Sequence, residues 1–281
     1  MWKKFFICCL ANLSAAALFA NIQNNPDENT LWQFLSINSA QWQGRGVQVT
    51  NASDGQGFSL LNDKSSTKAP HSIRRKVPLN KEYPYLVFET TSIMPFRGYR
   101  SWSVTLRELQ NGFGSISNGE PGIVAVNCFE NPAKMPKDNA TLLFYFFDFK
   151  TDFKYVKMVK KPDNYITVTG AGISGKKAVH PGDKVKFTVH LKESAEEVTL
   201  KCIYKSWLYT IKVNGQEIIE LKPEDEDQKI WSAEFPVNSM ACTKGKTFKK
   251  GQILLRAVVL GGQVKVPIWG VMPYSFNEKS K

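Results

Sequence analysis

Val185-Lys186-Phe187-Thr188-Val189-His190-Leu191 alternates apolar and polar residues without a break. In a β-strand successive side chains point to opposite faces, so Val185, Phe187, Val189 and Leu191 share one face, while Lys186, Thr188 and His190 share the other. Wound as a helix, the same segment would scatter its four apolar residues around the axis. The run therefore predicts a strand of a sheet that packs one face on a core and wets the other.

Working outward, apolar segments rich in Val, Ile, Phe, Tyr, Trp and Thr recur at intervals of about ten residues, separated by Gly, Pro, Asn and Asp, which is the rhythm of sandwiches and barrels. Gly46-Val47-Gln48-Val49-Thr50, Tyr85-Leu86-Val87-Phe88-Glu89-Thr90, Ser103-Val104-Thr105-Leu106 and Thr141-Leu142-Leu143-Phe144-Tyr145-Phe146-Phe147 are examples. Only residues 29–35 offer a turn or two of helix; elsewhere no 3.6-residue period persists. Gly170-Ala171-Gly172-Ile173-Ser174-Gly175 reads as a flexible link, and His180-Pro181-Gly182-Asp183 as turn chemistry opening a new strand. The expected architecture is all-β: a jelly-roll-type β-sandwich over residues 21–175, followed by an immunoglobulin-like β-sandwich over residues 176–281. Both pieces are long enough to bury a core.

The second piece has the plainer grammar. Residues 197–204 read as one strand. Thr210-Ile211-Lys212-Val213, Asn214-Gly215 and Gln216-Glu217-Ile218-Ile219 read as a hairpin on a type I′ turn, because Asn-Gly tolerates positive φ. Lys229-Ile230-Trp231-Ser232-Ala233-Glu234-Phe235 alternates again, and residues 252–259, Gly261-Gly262 and 264–269 form a closing hairpin. With its Pro-Gly-Asp, Asn-Gly and Trp231 landmarks, this half resembles the immunoglobulin-like or fibronectin-like modules of exported proteins, although the Cys-Trp-Cys spacing of antibody domains is absent. The resemblance implies a spacer or adhesion module. Trp42-Gln43-Gly44, the Asp54-Gly55 turn, and the succession from residues 72–79 into Tyr83-Pro84-Tyr85-Leu86-Val87-Phe88 make the first half resemble galactose-binding-type jelly rolls. That resemblance implies carbohydrate binding, but a likeness of fold does not by itself assign a function.

The N-terminus carries a separate instruction. Met1-Trp2-Lys3-Lys4 is a positive n-region, residues 5–10 are apolar, and the small residues of 15–20 suit a signal peptidase. The expectation is a signal peptide over residues 1–20 and a mature chain from Asn21, with cleavage after Ala17 as the alternative. Such a chain is secreted, periplasmic or on the cell surface. The stretch falls short of the roughly 20 apolar residues of a spanning helix, so no stable transmembrane anchor is expected.

Net charge is +12, or +10 once Lys3 and Lys4 are removed. Residues 21–175 carry 17 basic and 13 acidic side chains, and residues 176–281 carry 18 and 12. The excess is spread over both halves, whereas nucleic-acid binders gather it into a patch. No nucleic acid is expected as a partner; attraction to anionic surfaces or glycans remains. The sequence does not set the oligomeric state. Three cysteines stay in the mature chain, Cys128, Cys202 and Cys242. In an oxidising compartment Cys202 with Cys242 is the candidate disulfide, and three buried thiols are the alternative.

Chemistry concentrates in Met94-Pro95-Phe96-Arg97-Gly98-Tyr99-Arg100-Ser101-Trp102, between two predicted strands. Tyr99 and Trp102 offer rings on which the C–H face of a sugar stacks, and Arg97 and Arg100 offer forks of donors for hydroxyls or carboxylates. Trp42 and Arg45 join the same surface if the loops cluster at one end of the sandwich. The competing reading puts Trp102 in the core and the arginines in water.

A glycosidase needs two carboxyls across a cleft, and Glu89, Glu108, Asp148 and Asp152 lie on or beside predicted strands. The three histidines, His71, His180 and His190, supply neither a metal site nor a triad. No phosphate-binding glycine loop, cofactor motif or metal motif is present, and Pro223-Glu224-Asp225-Glu226-Asp227 reads as a solvated turn rather than a calcium loop. The expectation is an exported, non-enzymatic protein that recognises carbohydrate, anionic glycans included, through loops of its N-terminal sandwich. The alternatives are a carbohydrate-active enzyme and a structural or adhesion component of the cell surface.

Overall fold

The structure is a computed structural model that describes residues 27–62, 71–95, 101–109, 116–117, 121–129, 138–147, 149–174, 179, 183–204, 209–236, 240–242 and 250–275. The expected signal peptide and the candidates Arg97, Tyr99 and Arg100 lie outside these residues. Among the described residues every regular element is a β-strand, apart from two single 3-10 turns at Ser39–Gln41 and Arg107–Leu109, so the all-β expectation is met. None of these elements is a helix long and apolar enough to cross a membrane.

The chain forms two units. The first comprises residues up to Pro162 except Ile123–Val126, and the second Ile123–Val126 with Asp163–Lys281. The first contains two antiparallel sheets. One runs in the order β2 (Gln43–Arg45), β5 (His71–Pro78), β10 (Asn139–Phe147), β7 (Ser101–Leu106) and β8 (Ile116–Ser117). The other runs β3 (Gln48–Asn51), β4 (Phe58–Asn62), β11 (Phe149–Val159) and β6 (Tyr85–Pro95), with β1 (Thr30–Phe34) pairing the far part of β11.

Aromatic rings fill the space between these sheets. Phe144 of β10 meets Phe58 of β4 and Phe153 of β11 at centroid distances of 6.0 and 5.4 Å. Phe58 and Phe153 stack at 5.1 Å. Each such pair adds about 1 kcal/mol to the burial of its own area. Residues 29–35, read from sequence as the best place for helix, are instead β1. Its burial alternates, with Thr30, Trp32 and Phe34 inward, because Trp32 and Phe34 each gain a core contact at a two-residue period that a helix would deny them. Trp32 Nε1 also donates to the Pro78 carbonyl at 3.0 Å.

The second unit has one sheet in the order β12 (Val168–Ile173), β13 (Lys184–Leu191), β18 (Ile230–Pro236) and β17 (Lys222–Pro223). The other runs β19 (Met240–Cys242), β15 (Tyr209–Val213), β14 (Glu197–Tyr204), β20 (Lys250–Gly261) and β21 (Val264–Ser275). The alternation that opened the sequence reading is β13: Val185, Phe187, Val189 and Leu191 are buried and His190 is exposed. They share the core with Trp231 and Phe235 of β18, and with Val198, Leu200, Leu255 and Val259 of the facing sheet.

Two expectations change here. The Gly170-to-Gly175 stretch is no linker, since most of it is β12, hydrogen-bonded to β13 from Val168↔Leu191 to Ile173↔Phe187. The candidate Cys202–Cys242 bridge is also excluded. Both cysteines are register partners of Ile211, on opposite sides of β15. They are therefore two strand spacings apart, about 10 Å, beyond the roughly 7 Å a disulfide spans between Cα atoms. Cys202 is a free, buried thiol that burial pushes up to about 12.

Candidate functional site

Several strands of the first unit begin or end together at one end of its two sheets. In the five-stranded sheet β2 ends there at Arg45, β5 begins at His71, β7 begins at Ser101 and β10 ends at Phe147; Ser101 is the partner of Phe147, and His71 of Phe146. In the facing sheet Asn62 of β4 and Pro95 of β6 both pair with Phe149, the first residue of β11. Pro95 and Ser101, which flank the candidates Arg97, Tyr99 and Arg100 in sequence, both lie at this end.

The individual candidates separate. Arg45 sits on the edge strand β2 opposite Ser72. Its position depends on Gly44, whose φ is +155° and whose Cβ, if it had one, would lie 2.0 Å from the Ser72 carbonyl oxygen. A side chain there would push β2 off β5. Trp102 pairs with Phe146, two positions before Val104 and four before Leu106, both fully buried.

Trp42 is a correction: only 8% exposed, its ring lies 5.4 Å from Phe34 and 5.4 Å from Phe144. It belongs to the core, because a large ring beside two others gains more from burial than any exposed perch would give it. Arg75 lies on the same inner face. It donates to Gln41 Oε1 at 2.6 Å and rests over Phe34 with its guanidinium carbon 5.3 Å from the ring centroid, and burial lowers its pKa.

The opposite, outward face of this sheet carries residues that sequence reading missed. The register sets Arg45, Ser72, Tyr145, Ser103 and Ser117 in one row across β2, β5, β10, β7 and β8. The adjacent row holds Gln43, Arg74, Leu143 and Thr105. Ser72, Tyr145 and Ser103 are part-exposed, Arg74 and Lys76 are exposed, and Leu143 and Thr105 are buried. Partial burial raises the pKa of the Tyr145 phenol, which stays protonated and able to donate. Not one residue of these five strands is an aspartate or glutamate. The signal was hidden because Thr141-to-Phe147 is apolar on both faces, so its composition does not reveal which side Tyr145 takes.

Of the carboxylates weighed for hydrolysis, Asp148 lies outside the described residues. Glu89 and Asp152 are on the facing sheet, where Lys154 reaches Glu89 at 3.4 Å and Lys150 reaches Asp152 at 3.5 Å. Ser59 Oγ donates to Asp152 at 2.5 Å. Glu108 accepts the Thr141 backbone N–H at 2.9 Å. In the acidic turn, Asp225 accepts the N–H groups of Lys229 and Ile230 at 2.9 and 2.8 Å. Among the described residues no three His, Cys, Asp or Glu side chains are grouped to hold a metal.

No family model matches the chain, and no curated protein matches it. Among solved structures it is similar to the glycoside hydrolase domain of Endo-D from Streptococcus pneumoniae R6, at 9% identity and a TM-score of 0.30, covering 86% of this chain and 37% of that one. It is also similar to a beta-1,2-glucanase from Parabacteroides distasonis, at 8% identity and a TM-score of 0.24, covering 83% and 37%. For beta-glucuronidase 3 of Bacteroides uniformis the identity is 10% and the TM-score 0.22, with 73% and 27% covered. The chain spans between about a quarter and somewhat over a third of the length of these proteins.

Proposed function

We propose that this is an exported, non-enzymatic glycan-binding protein whose first unit, a jelly-roll-type sandwich, holds the ligand at the end where β6 hands over to β7. The observation that supports the reading is the convergence, by strand register, of Arg45, the end of β6 at Pro95 and the start of β7 at Ser101 at one end of the two sheets. Guanidinium forks and a tyrosine ring suit a ligand with many hydroxyls and C–H faces. The second unit is read as an immunoglobulin-type module that spaces or presents the first. Its strand order, four strands as A-B-E-D facing C′-C-F-G, supports this.

A glycan array probed with the chain from Asn21, beside Arg45→Ala and a combined Arg97→Ala and Arg100→Ala variant, tests the reading. Binding that the variants lose while their folding persists is the expected result. No binding to any glycan would move the protein to a structural or adhesion role.

A further inference from the structure

The absence of acid from five adjacent strands has a consequence of its own. Strand residues exposed on a sheet face usually mix both signs, as the facing sheet does with its Lys150–Asp152 and Lys154–Glu89 pairs. The outward face of the β2–β5–β10–β7–β8 sheet instead sets Arg74 and Lys76 two residues apart on β5, both exposed. These strands contain no acidic residue, and the Glu108 carboxylate that follows β7 is held by the Thr141 N–H at 2.9 Å. Beside the cations runs the Ser72–Tyr145–Ser103 row, a part-exposed ring with a hydroxyl residue on either side.

We infer that this sheet face binds a linear acidic polysaccharide, one whose sugars carry carboxylate or sulfate groups, and that the face extends the strand-end site proposed above, on which the inference rests. Arg74 and Lys76 are about 7 Å apart along the strand, close enough to meet one charged residue of the polymer together. Tyr145 takes the C–H face of the neighbouring sugar, and its protonated phenol and the two serines meet ring hydroxyls. A charged lipid surface suits the face less well, because the apolar Leu143 on it is buried rather than offered to a bilayer.

Affinity electrophoresis of the full chain through gels containing polygalacturonate, heparin or neutral dextran tests this, with Arg74→Gln/Lys76→Gln and Arg97→Gln/Arg100→Gln variants run alongside. Both substituted β5 side chains are exposed, so the unfolding midpoint of that variant should match the wild type. The expected result is retardation by the two acidic polymers but not dextran, weakened about tenfold in the β5 variant, as losing two exposed charge-assisted contacts would give, and reduced by added salt. If the β5 variant is retarded like wild type while the Arg97/Arg100 variant is not, the sheet face is wrong and the strand-end reading stands. If dextran alone retards the protein, acidic specificity falls and glycan binding stands. If no polysaccharide retards it, both fall. If single-stranded DNA of matched charge competes as well as heparin, the face is a general polyanion surface and the inference is overturned.

Discussion

Asn51 closes both ends of its carboxamide on Ile37: the Ile37 N–H donates to Asn51 Oδ1 at 2.8 Å, and Asn51 Nδ2 donates to the Ile37 carbonyl at 2.9 Å. The pair ties the edge strand β3 to the chain leaving β1, and Ile37 itself is buried. Asn51→Ala leaves both backbone groups without these partners and should cost about 2 kcal/mol. Asn51→Asp keeps the acceptor for the Ile37 N–H but sets a carboxylate oxygen against the Ile37 carbonyl, so it should destabilise as well. Urea unfolding of the three proteins measures both differences.

Trp42 makes a sharper case, because the sequence offered it as a ligand contact. With its ring between Phe34 and Phe144, Trp42→Ala should destabilise the protein by about 4 kcal/mol. Trp42→Phe should keep glycan binding unchanged at a modest loss of stability. A Trp42→Phe protein that folds normally but has lost its ligand would return Trp42 to the binding surface.

Gly44→Ala should separate β2 from β5 and cost about 3 kcal/mol, since the new Cβ meets the Ser72 carbonyl at 2.0 Å. Arg45 would move with the strand. Thermal unfolding gives the first effect, and glycan affinity, reduced as in Arg45→Ala, gives the second.

Cys202 provides a pH test. Burial raises its folded-state pKa from 9.0 to about 12. Between those values the unfolded thiol ionises while the folded one keeps its proton, so the unfolded state binds fewer protons and stability falls as pH rises. Wild type should lose stability through this window relative to Cys202→Ala, a comparison that cancels the other titrating groups. Native protein should also leave the Cys202 thiol unmodified by a thiol reagent until denaturant is added.

How much of this was legible in the sequence depends on what each segment's period had to report. β13 and β18 announced themselves because one face is wet and the other dry, and alternation follows directly. Asn214-Gly215 marked its turn correctly: both residues have positive φ, and Val213 and Gln216 exchange backbone hydrogen bonds at 2.9 and 3.0 Å. The hairpin stops there, since Ile219 and Glu220 pair with β14 at Leu200 and Thr199 rather than returning along β15. Local turn chemistry fixes the reversal, and long-range packing decides which strand the chain then joins. The same limit hid the acid-free sheet. Its five strands come from five separate parts of the chain, and only their pairing shows that Arg74 and Tyr145 share a face. Trp42 and the Cys202–Cys242 pair failed for the converse reason: residue type suggested a role that register and burial deny.

The central claim is that the first unit binds glycan at its strand-end rim and the adjoining sheet face. Hydrogen–deuterium exchange of the full chain, with and without a saturating polygalacturonate oligomer, tests it most directly. The account predicts slowed exchange in peptides covering β5, β10 and β7 and the segment between Pro95 and Ser101, with no change in the second unit. Slowed exchange confined to the second unit would contradict it.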